Sequence, residues 1–304
     1  MKKLLFLLVG VLGLGLLAQL QAQQTVFDKV KVRYNKSGED VRLVDKNVDL
    51  ILDDSAKKLI VRGSDHPLEV SYDDVTKVVL ETTRHMRGGA LSQMVGGLAG
   101  AAIAGIKVQD YWCYLEYKRP DGTVQPYLME VGKEISEPVV EKMRATFGDR
   151  VILAEFPEAV EVDKNTLAAL QSKHDIKVDK KNRPMPELKP DQALVVAVCP
   201  PLAARYAGAG NQFKLHANDK VIAVNRMGTY SFAYLNPGKY KLVSQTENAV
   251  GMELDLKAGE AYYFLQDVFM GTWKAKTGFS QHTKELVMYE LNGAWYSDWK
   301  EKTD

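Results

Sequence analysis

Short apolar runs separated by turn residues dominate the second half of the chain. After residue 192 they recur at nearly regular spacing, and Asn236-Pro237-Gly238 and Ala258-Gly259 lie between them. Because proline fixes φ and glycine allows positive φ, these residues favour tight turns. Regular short strands with such turns are typical of an antiparallel β-sandwich. We predict one over residues 192–304, with strands at 193–199, 212–216, 220–225, 228–235, 239–246, 251–256 and 261–268.

The first half of the chain also favours strands, followed by one helix. Apolar and polar residues alternate, or β-branched residues cluster, in six segments, which predicts strands at 48–52, 57–62, 68–72, 75–83, 111–117 and 124–131. In residues 134–147 the apolar residues Ile135, Val139, Met143 and Phe147 recur every fourth position, which predicts an amphipathic helix. Gly148 is placed to end it. The chain is therefore predicted to be mainly β.

Two stretches of this half resemble the opening strands of bacterial PH-like and GRAM-like domains. They are Leu50-Ile51-Leu52-Asp53-Asp54-Ser55 and Leu68-Glu69-Val70-Ser71-Tyr72-Asp73-Asp74-Val75. The resemblance implies a PH-like barrel with one C-terminal helix over residues 28–155. Residues 156–191 are rich in charge and contain Pro157, Pro184, Pro186 and Pro190, so we interpret them as a linker.

The second half resembles a bacterial domain family of unknown function that occurs in exported proteins and lipoproteins and is PEGA-like in style. The matching words are Gly228-Thr229-Tyr230, Tyr234-Leu235-Asn236-Pro237-Gly238-Lys239-Tyr240 and Ala258-Gly259-Glu260-Ala261-Tyr262-Tyr263-Phe264. The chain departs from many members of that family because it has no lipidation cysteine directly after its apolar leader. The family carries no established activity that could be transferred to this chain.

Residues 1–22 have the layout of a secretory signal peptide. Lys2 and Lys3 precede an uncharged apolar run at 4–17, and Ala22 is placed before a cleavage site. An uncleaved anchor is the alternative, but a bilayer-spanning helix needs about 20 apolar residues. We expect a cleaved leader and an exported protein, either periplasmic or secreted.

The charge balance argues against two classes of partner. The 40 Lys and Arg residues, less Lys2 and Lys3 of the leader, face 39 Asp and Glu residues. Such a balance gives no attraction to nucleic acid or to anionic lipid, so we predict no nucleic-acid partner. The two cysteines, Cys113 and Cys199, both lie in apolar runs and are either two buried thiols or a disulfide between the two domains.

Local motifs for catalysis and metal binding are missing from the sequence. The five histidines, His66, His85, His174, His216 and His282, do not lie at metal-ligand spacing. No Gly-x-Ser-x-Gly or phosphate-binding loop occurs. We interpret Asp53-Asp54 and Asp73-Asp74 as turn residues rather than paired carboxylates. The sequence thus predicts no cofactor, no metal and no enzyme.

A glycine-rich insert at residues 88–106 separates two predicted strands. A helix there would place Gly96, Gly100 and Ala104 on one smooth face, and Arg84 and Arg87 precede it. One interpretation is a contact through residues 90–106 with a membrane or a second copy, with Arg84, Arg87, Met94, Gly96, Gly100 and Ala104 as candidates. The alternative is a packed or flexible loop.

Aromatic residues of the predicted sandwich are the last candidates. Tyr230, Tyr263 and Trp273 could stack on a ligand, although such residues usually pack in a core. We predict an exported, non-catalytic interaction protein of the cell envelope whose partner is an unknown protein or envelope component. The alternative is a lectin-like binder of glycan or peptidoglycan, and an enzyme is the third.

Overall fold

The computed structural model of the chain describes residues 24–35, 41–63, 67–87, 106–163, 174–200, 211–270, 275–291 and 293–301. These residues form a mainly-β fold. They fall into two compact units. Unit 1 takes its residues from Met1–Tyr34, Arg42–Leu80 and Tyr111–Leu153, and unit 2 takes its residues from Asn35–Val41, Glu81–Asp110 and Ala154–Asp304.

Unit 1 is built on a sheet of eight strands. They are β1 (Gln24–Asn35), β2 (Val41–Asp53), β3 (Lys58–Arg62), β4 (Leu68–Ser71), β5 (Val75–Arg87), β6 (Ile106–Lys118), β7 (Val124–Val131) and β8 (Val151–Glu155). Their order is β4-β3-β2-β1-β7-β6-β5-β8, so β4 and β8 are the two edges. Among the described residues these two edge strands do not pair, so the sheet there does not close into the barrel that the PH-like resemblance implies.

Helix α1 (Ser136–Phe147) follows a short 3-10 turn at Lys133–Ile135 and packs on unit 1. Its buried apolar residues are Val139, Met143 and Phe147, and Ile135 packs beside them. Gly148 ends the helix with φ of 55°, a left-handed value that suits glycine. The predicted helix and its stop residue are therefore confirmed.

The turn between β2 and β3 shows why an acidic pair lies there. The carboxylate Oδ1 of Asp53 accepts the backbone N–H groups of Ser55 and Ala56 at 3.0 and 2.9 Å. Asp54 accepts hydrogen bonds from Lys142 of α1 and from the Tyr72 hydroxyl. The pair therefore stabilises a turn and docks the helix, as the turn interpretation expects.

Unit 2 contains two packed sheets and a small hairpin. Its strands are β9 (Val160–Glu161), β10 (His174–Asp179), β11 (Ala193–Cys199), β12 (Phe213–Ala217), β13 (Lys220–Asn225), β14 (Thr229–Leu235), β15 (Gly238–Gln245), β16 (Ala249–Leu256), β17 (Ala261–Leu265), β18 (Val268–Met270), β19 (Ala275–Thr277), β20 (Ser280–His282) and β21 (Trp295–Glu301). Helix α2 (Lys284–Leu291) lies between β20 and β21 in the chain. One sheet has the order β10-β21-β14-β11-β17-β20, the other has the order β13-β12-β15-β16-β9, and β18 pairs with β19.

The central strand β11 is buried on both sides. Ala193, Val195 and Ala197 belong to the core between the two sheets. Leu194, Val196 and Val198 point to the opposite, outer face, where Val287 and Leu291 of α2 pack. This double burial explains why residues 193–199 are an unbroken apolar run, since a strand covered on both faces needs no polar alternation.

The segment interpreted as a linker contributes to unit 2. Within it β9 pairs with β16, and β10 pairs with β21 over six residues of each strand. The C-terminal segment with Trp295, Tyr296 and Trp299 forms β21, which lies between β10 and β14. The leader at residues 1–22 lies outside the described residues. Within the described ranges no helix is long and apolar enough to cross a membrane.

Candidate functional site

Strand β20 places a serine and a histidine on the same side of a sheet. Ser280 and His282 are two residues apart, so their side chains share one face. Ser280 is opposite Leu265 and His282 is opposite Tyr263 in the neighbouring strand β17. Since Leu265 and Tyr263 belong to the outer face of the six-stranded sheet, Ser280 and His282 lie on that face too.

A glutamate from β5 completes this cluster, and all of its members belong to unit 2. The carboxylate Oε1 of Glu81 lies 2.6 Å from Nδ1 of His282. Nε2 of the same imidazole lies 2.7 Å from Oγ of Ser280. We name Glu81, His282 and Ser280 the Ser–His–Glu cluster. Its side chains are buried, with residue exposures of 2% for Glu81, 6% for His282 and 2% for Ser280.

The Glu81 carboxylate is fully hydrogen-bonded. The Thr83 hydroxyl donates to Oε1 at 2.7 Å, and the backbone N–H and hydroxyl of Thr283 donate to Oε2 at 3.0 and 2.7 Å. Burial raises the pKa of Glu81, but the hydrogen bonds from His282 and Thr283 outweigh it and hold that pKa below its usual value. Glu81 is therefore an anion. It also accepts the backbone N–H of Thr283, the residue just before the first residue of α2, Lys284.

The hydrogen bonds assign the roles of the two imidazole nitrogens. An ionised carboxylate can only accept, so Nδ1 of His282 carries the proton that is donated to Glu81. In the neutral ring Nε2 is then an acceptor, and the Ser280 hydroxyl donates to it. A hydroxyl that donates to a base, which a carboxylate orients in turn, is the arrangement that activates a nucleophile.

Aromatic rings share the outer face with this cluster. In register, Phe232 of β14 and Val196 of β11 are opposite each other, and Val196 is next opposite Tyr263 of β17. Tyr263 is opposite His282, so Phe232, Val196, Tyr263 and His282 form one row across four strands. Phe232 and Tyr263 are half-buried and lie two strands apart, a separation of about 10 Å. We name Phe232, Tyr234, Tyr263 and Tyr296 the outer aromatic face.

The rings of β14 and β21 contact one another. The Phe232 ring centroid lies 5.7 Å from that of Tyr296 and 6.2 Å from that of Tyr234. Tyr230 packs against Tyr296 at 5.6 Å and is fully buried. Half-buried rings that brace each other in this way form a rigid apolar platform, because each neighbour restricts the rotation of the next.

An extended segment that we name the strap, residues 183–189, lies on this platform. The Tyr230 hydroxyl donates to the Pro184 carbonyl at 2.9 Å, and the Tyr234 hydroxyl donates to the Glu187 carbonyl at 2.7 Å. The Lys189 ammonium lies 3.9 Å from the centre of the Tyr234 ring, a cation–π contact. The strap joins β10 to β11, so it crosses from the sheet edge toward its centre.

The other sheet carries an open groove of about 440 Å³. Its lining is formed by Asn218, Lys239, Tyr240, Lys241, Glu253, Leu254 and Asp255. Lys239 is opposite Asp255 and Lys241 is opposite Glu253 across β15 and β16. These opposite charges balance one another, so the groove has no net attraction for an anion or a cation.

The structure places the candidate residues predicted from sequence in different environments. Tyr263 lies on the outer aromatic face, whereas Tyr230 is buried and its hydroxyl is bound to the strap. A buried ring offers no free face for stacking in this conformation. Trp273 lies outside the described residues. Arg84 and Arg87 belong to β5, and Met94, Gly96, Gly100 and Ala104 lie outside the described part of the chain. In the described ranges no His, Cys, Asp and Glu side chains group as metal ligands would.

Sequence reasoning missed the Ser–His–Glu cluster, because Glu81 and His282 are 201 residues apart. A weak signal was present, since a serine two residues before a histidine in a strand places both on one face. The carboxylate partner could not be found without the fold. No protein-family model and no curated protein matches this sequence.

Proposed function

We propose that this chain is an exported protein of the cell envelope that binds its partner through the outer aromatic face of unit 2. The single observation that supports the proposal is the platform of half-buried rings at Phe232, Tyr234 and Tyr263 on one face of a sheet. Export rests on the leader-like residues 1–22.

A glycan is the ligand class that this surface favours. The flat faces of aromatic rings pack well against apolar C–H faces, and tyrosine adds a hydroxyl at the wet edge. Phe232 and Tyr263 lie about 10 Å apart, and Val196 between them is buried, so a ligand would contact the exposed part of each ring on either side of it. The near-balanced charge of the chain favours a neutral ligand over an anionic one.

The two domain resemblances belong to the same proposal. A PH-like ancestry of unit 1 is supported by several antiparallel strands followed by one helix, α1. A PEGA-like origin of unit 2 is supported by its two packed sheets and by the turns at Gly238 and Gly259, both with positive φ. Membrane or self-contact through residues 90–106 stays a prediction, because that segment lies outside the described residues.

The test is binding of the leader-free chain to insoluble peptidoglycan and to soluble neutral oligosaccharides, measured by pull-down and calorimetry. Phe232→Ala and Tyr263→Ala should each weaken binding about threefold to tenfold, the range of one aromatic contact. Tyr262→Ala is the matched control, because Tyr262 is adjacent in β17 but packs on the opposite face. Unchanged affinity in both folded variants would sink the proposal, as would equal loss in the control.

A further inference from the structure

We propose that Ser280, His282 and Glu81 form a nucleophile, a general base and an orienting carboxylate that together cleave esters of short acyl groups. The inference goes beyond the proposed function and does not depend on a glycan ligand. It departs from the non-catalytic interpretation of the sequence, which looked for local motifs and found none.

The distances match those of a serine hydroxyl that a neighbouring base can activate. Ser280 Oγ lies 2.7 Å from His282 Nε2, and His282 Nδ1 lies 2.6 Å from Glu81 Oε1. Both values fall in the range of about 2.6–3.2 Å within which a base can take a proton directly. Such a triad is recognised by geometry and roles, not by the order of its residues in the chain.

The Glu81 carboxylate is held more firmly than a surface carboxylate could be. Glu81 accepts four hydrogen bonds, from His282, from Thr83 and twice from Thr283. These bonds keep it charged and aimed at Nδ1, so the imidazole stays in the tautomer that can accept the serine proton. A carboxylate needed only to cap α2 would not have to orient a histidine whose far nitrogen faces a hydroxyl.

The burial of Ser280 limits the substrate. Ser280 is 2% exposed, so only a small acyl group could reach its hydroxyl, as in an acetyl ester. The row of residues on the outer face leads from His282 to the half-buried Tyr263 and then to Phe232. The alcohol part of the ester would lie against Tyr263, the half-buried ring of this row that is next to His282.

The reaction balances without any further reagent. Ser280 Oγ attacks the acyl carbonyl carbon while its proton passes to His282 Nε2, and the imidazolium is stabilised by the Glu81 carboxylate. The C–O bond to the alcohol then breaks, and the leaving oxygen takes the proton from Nε2. Water repeats the sequence on the acyl-serine, which releases the carboxylic acid and restores the hydroxyl.

The experiment uses the leader-free chain with p-nitrophenyl acetate, p-nitrophenyl octanoate and the small serine reagent diisopropyl fluorophosphate. We expect hydrolysis of the acetate at least tenfold faster than of the octanoate, and one adduct that peptide mapping places on Ser280. Ser280→Ala should abolish the adduct and the hydrolysis, and Glu81→Gln should slow both at least tenfold.

Ser297→Ala is the matched control, because Ser297 is equally buried but donates to the Val224 carbonyl instead of a histidine. It should keep full activity and labelling. No adduct at Ser280 in the folded wild-type chain, or hydrolysis that persists in Ser280→Ala, would overturn the proposal. A loss of folding in Ser280→Ala is recognised by circular dichroism, and the wild-type labelling result then decides alone.

Discussion

Glu81 and His282 are separated by 201 residues, yet their side chains meet at 2.6 Å in a buried part of unit 2. Within unit 2 the contact ties Glu81 to the edge strand β20 and to the start of α2, which begins one residue after Thr283. Removing the carboxylate would leave the buried donors of His282, Thr83 and Thr283 without an acceptor, and each such group costs about 1–3 kcal/mol. The pair is therefore both a candidate catalytic element and a strong determinant of stability.

Replacement of Glu81 tests this structural role. Glu81→Ala should lower the free energy of unfolding by about 3 kcal/mol or more, because the buried imidazole N–H and the two hydroxyls that donate to the carboxylate are left without an acceptor. Urea unfolding followed by circular dichroism measures the change. Glu141→Ala, which removes an exposed glutamate of α1, should change the same quantity by less than about 0.5 kcal/mol. A Glu81→Ala effect as small as that of Glu141→Ala would contradict the prediction.

The Glu81 carboxylate also makes the free energy of unfolding depend on pH. The folded-state pKa of Glu81 lies below the usual 4.5, so the folded state binds fewer protons than the unfolded state near that pH. Its contribution is fully present above the unfolded pKa and is lost as pH falls through the folded pKa. The difference in unfolding free energy between wild type and Glu81→Gln should therefore shrink below about pH 4.5. A difference that stays constant down to acid pH would exclude the linkage.

His216 predicts a second, separate pH window. Burial lowers its pKa from 6.5 to about 4, with Lys214 and His174 acting in the same direction and the hydrogen bond to Gln245 opposing them. The unfolded state then binds more protons between these two values, so stability is full above pH 6.5 and falls as pH drops toward 4. The gap between 6.5 and about 4 corresponds to about 3 kcal/mol of stability lost across that range.

Measurement of unfolding free energy from about pH 7 to about pH 4 checks the His216 window. Wild type should lose stability across it, and His216→Gln, which cannot titrate, should show a clearly flatter dependence. The comparison uses slopes, so a uniform loss of stability in the variant does not affect it. Equal slopes in the two proteins would show that His216 does not titrate in this range.

The sequence could predict those elements whose apolar pattern is strong and local. Residues 193–199 were predicted with their observed bounds because the run is unbroken. Helix α1 was found from its four-residue stripe. Strand β10 was missed because it lies in a segment rich in charge and proline, although Ile176 and Val178 alternate with Asp175 and Lys177, and its partner β21 is more than a hundred residues away in the chain. Strand formation there depends on pairing more than on local preference.

The site could be predicted only in part, for the same reason. Tyr263 was recognised as a candidate from its position in a tyrosine pair on β17. Its neighbour His282 is on another strand, and the register that joins them is set by the whole sheet. Glu81 comes from a strand of the other half of the chain. Contacts of this kind follow from topology, which a single sequence does not reveal.

The two thiols should be unreactive in the native protein. Cys113 and Cys199 are free and fully buried, so the open alternative of a disulfide is not the one formed. Burial raises the pKa of Cys113 to about 12 and that of Cys199 well above its usual value, which leaves almost no thiolate. A thiol assay with Ellman's reagent should detect no reaction before unfolding and two thiols in denaturant. Fast labelling of the native chain would contradict this burial.

The strap should open when its two tyrosine hydroxyls are removed. Tyr230→Phe with Tyr234→Phe deletes the hydrogen bonds to Pro184 and Glu187, each worth about 0.5–1.5 kcal/mol, while both rings remain. Local opening should then become about fivefold to a hundredfold more frequent. Thermolysin is the probe, because it cuts before exposed leucines and Leu188 is 56% exposed in the strap.

Cleavage between Glu187 and Leu188, followed by mass spectrometry, should accelerate in the double variant by that factor, because proteolysis follows the population of the open form. Tyr240→Phe, on the other sheet, is the control and should leave the rate unchanged. The strap covers Tyr234, so a strap that opens would also free that ring for a ligand. A glycan that binds there should slow the cleavage if it rests on the closed strap and speed it if it displaces the strap. Equal cleavage rates in wild type and the double variant would show that the strap is held by something other than these hydroxyls.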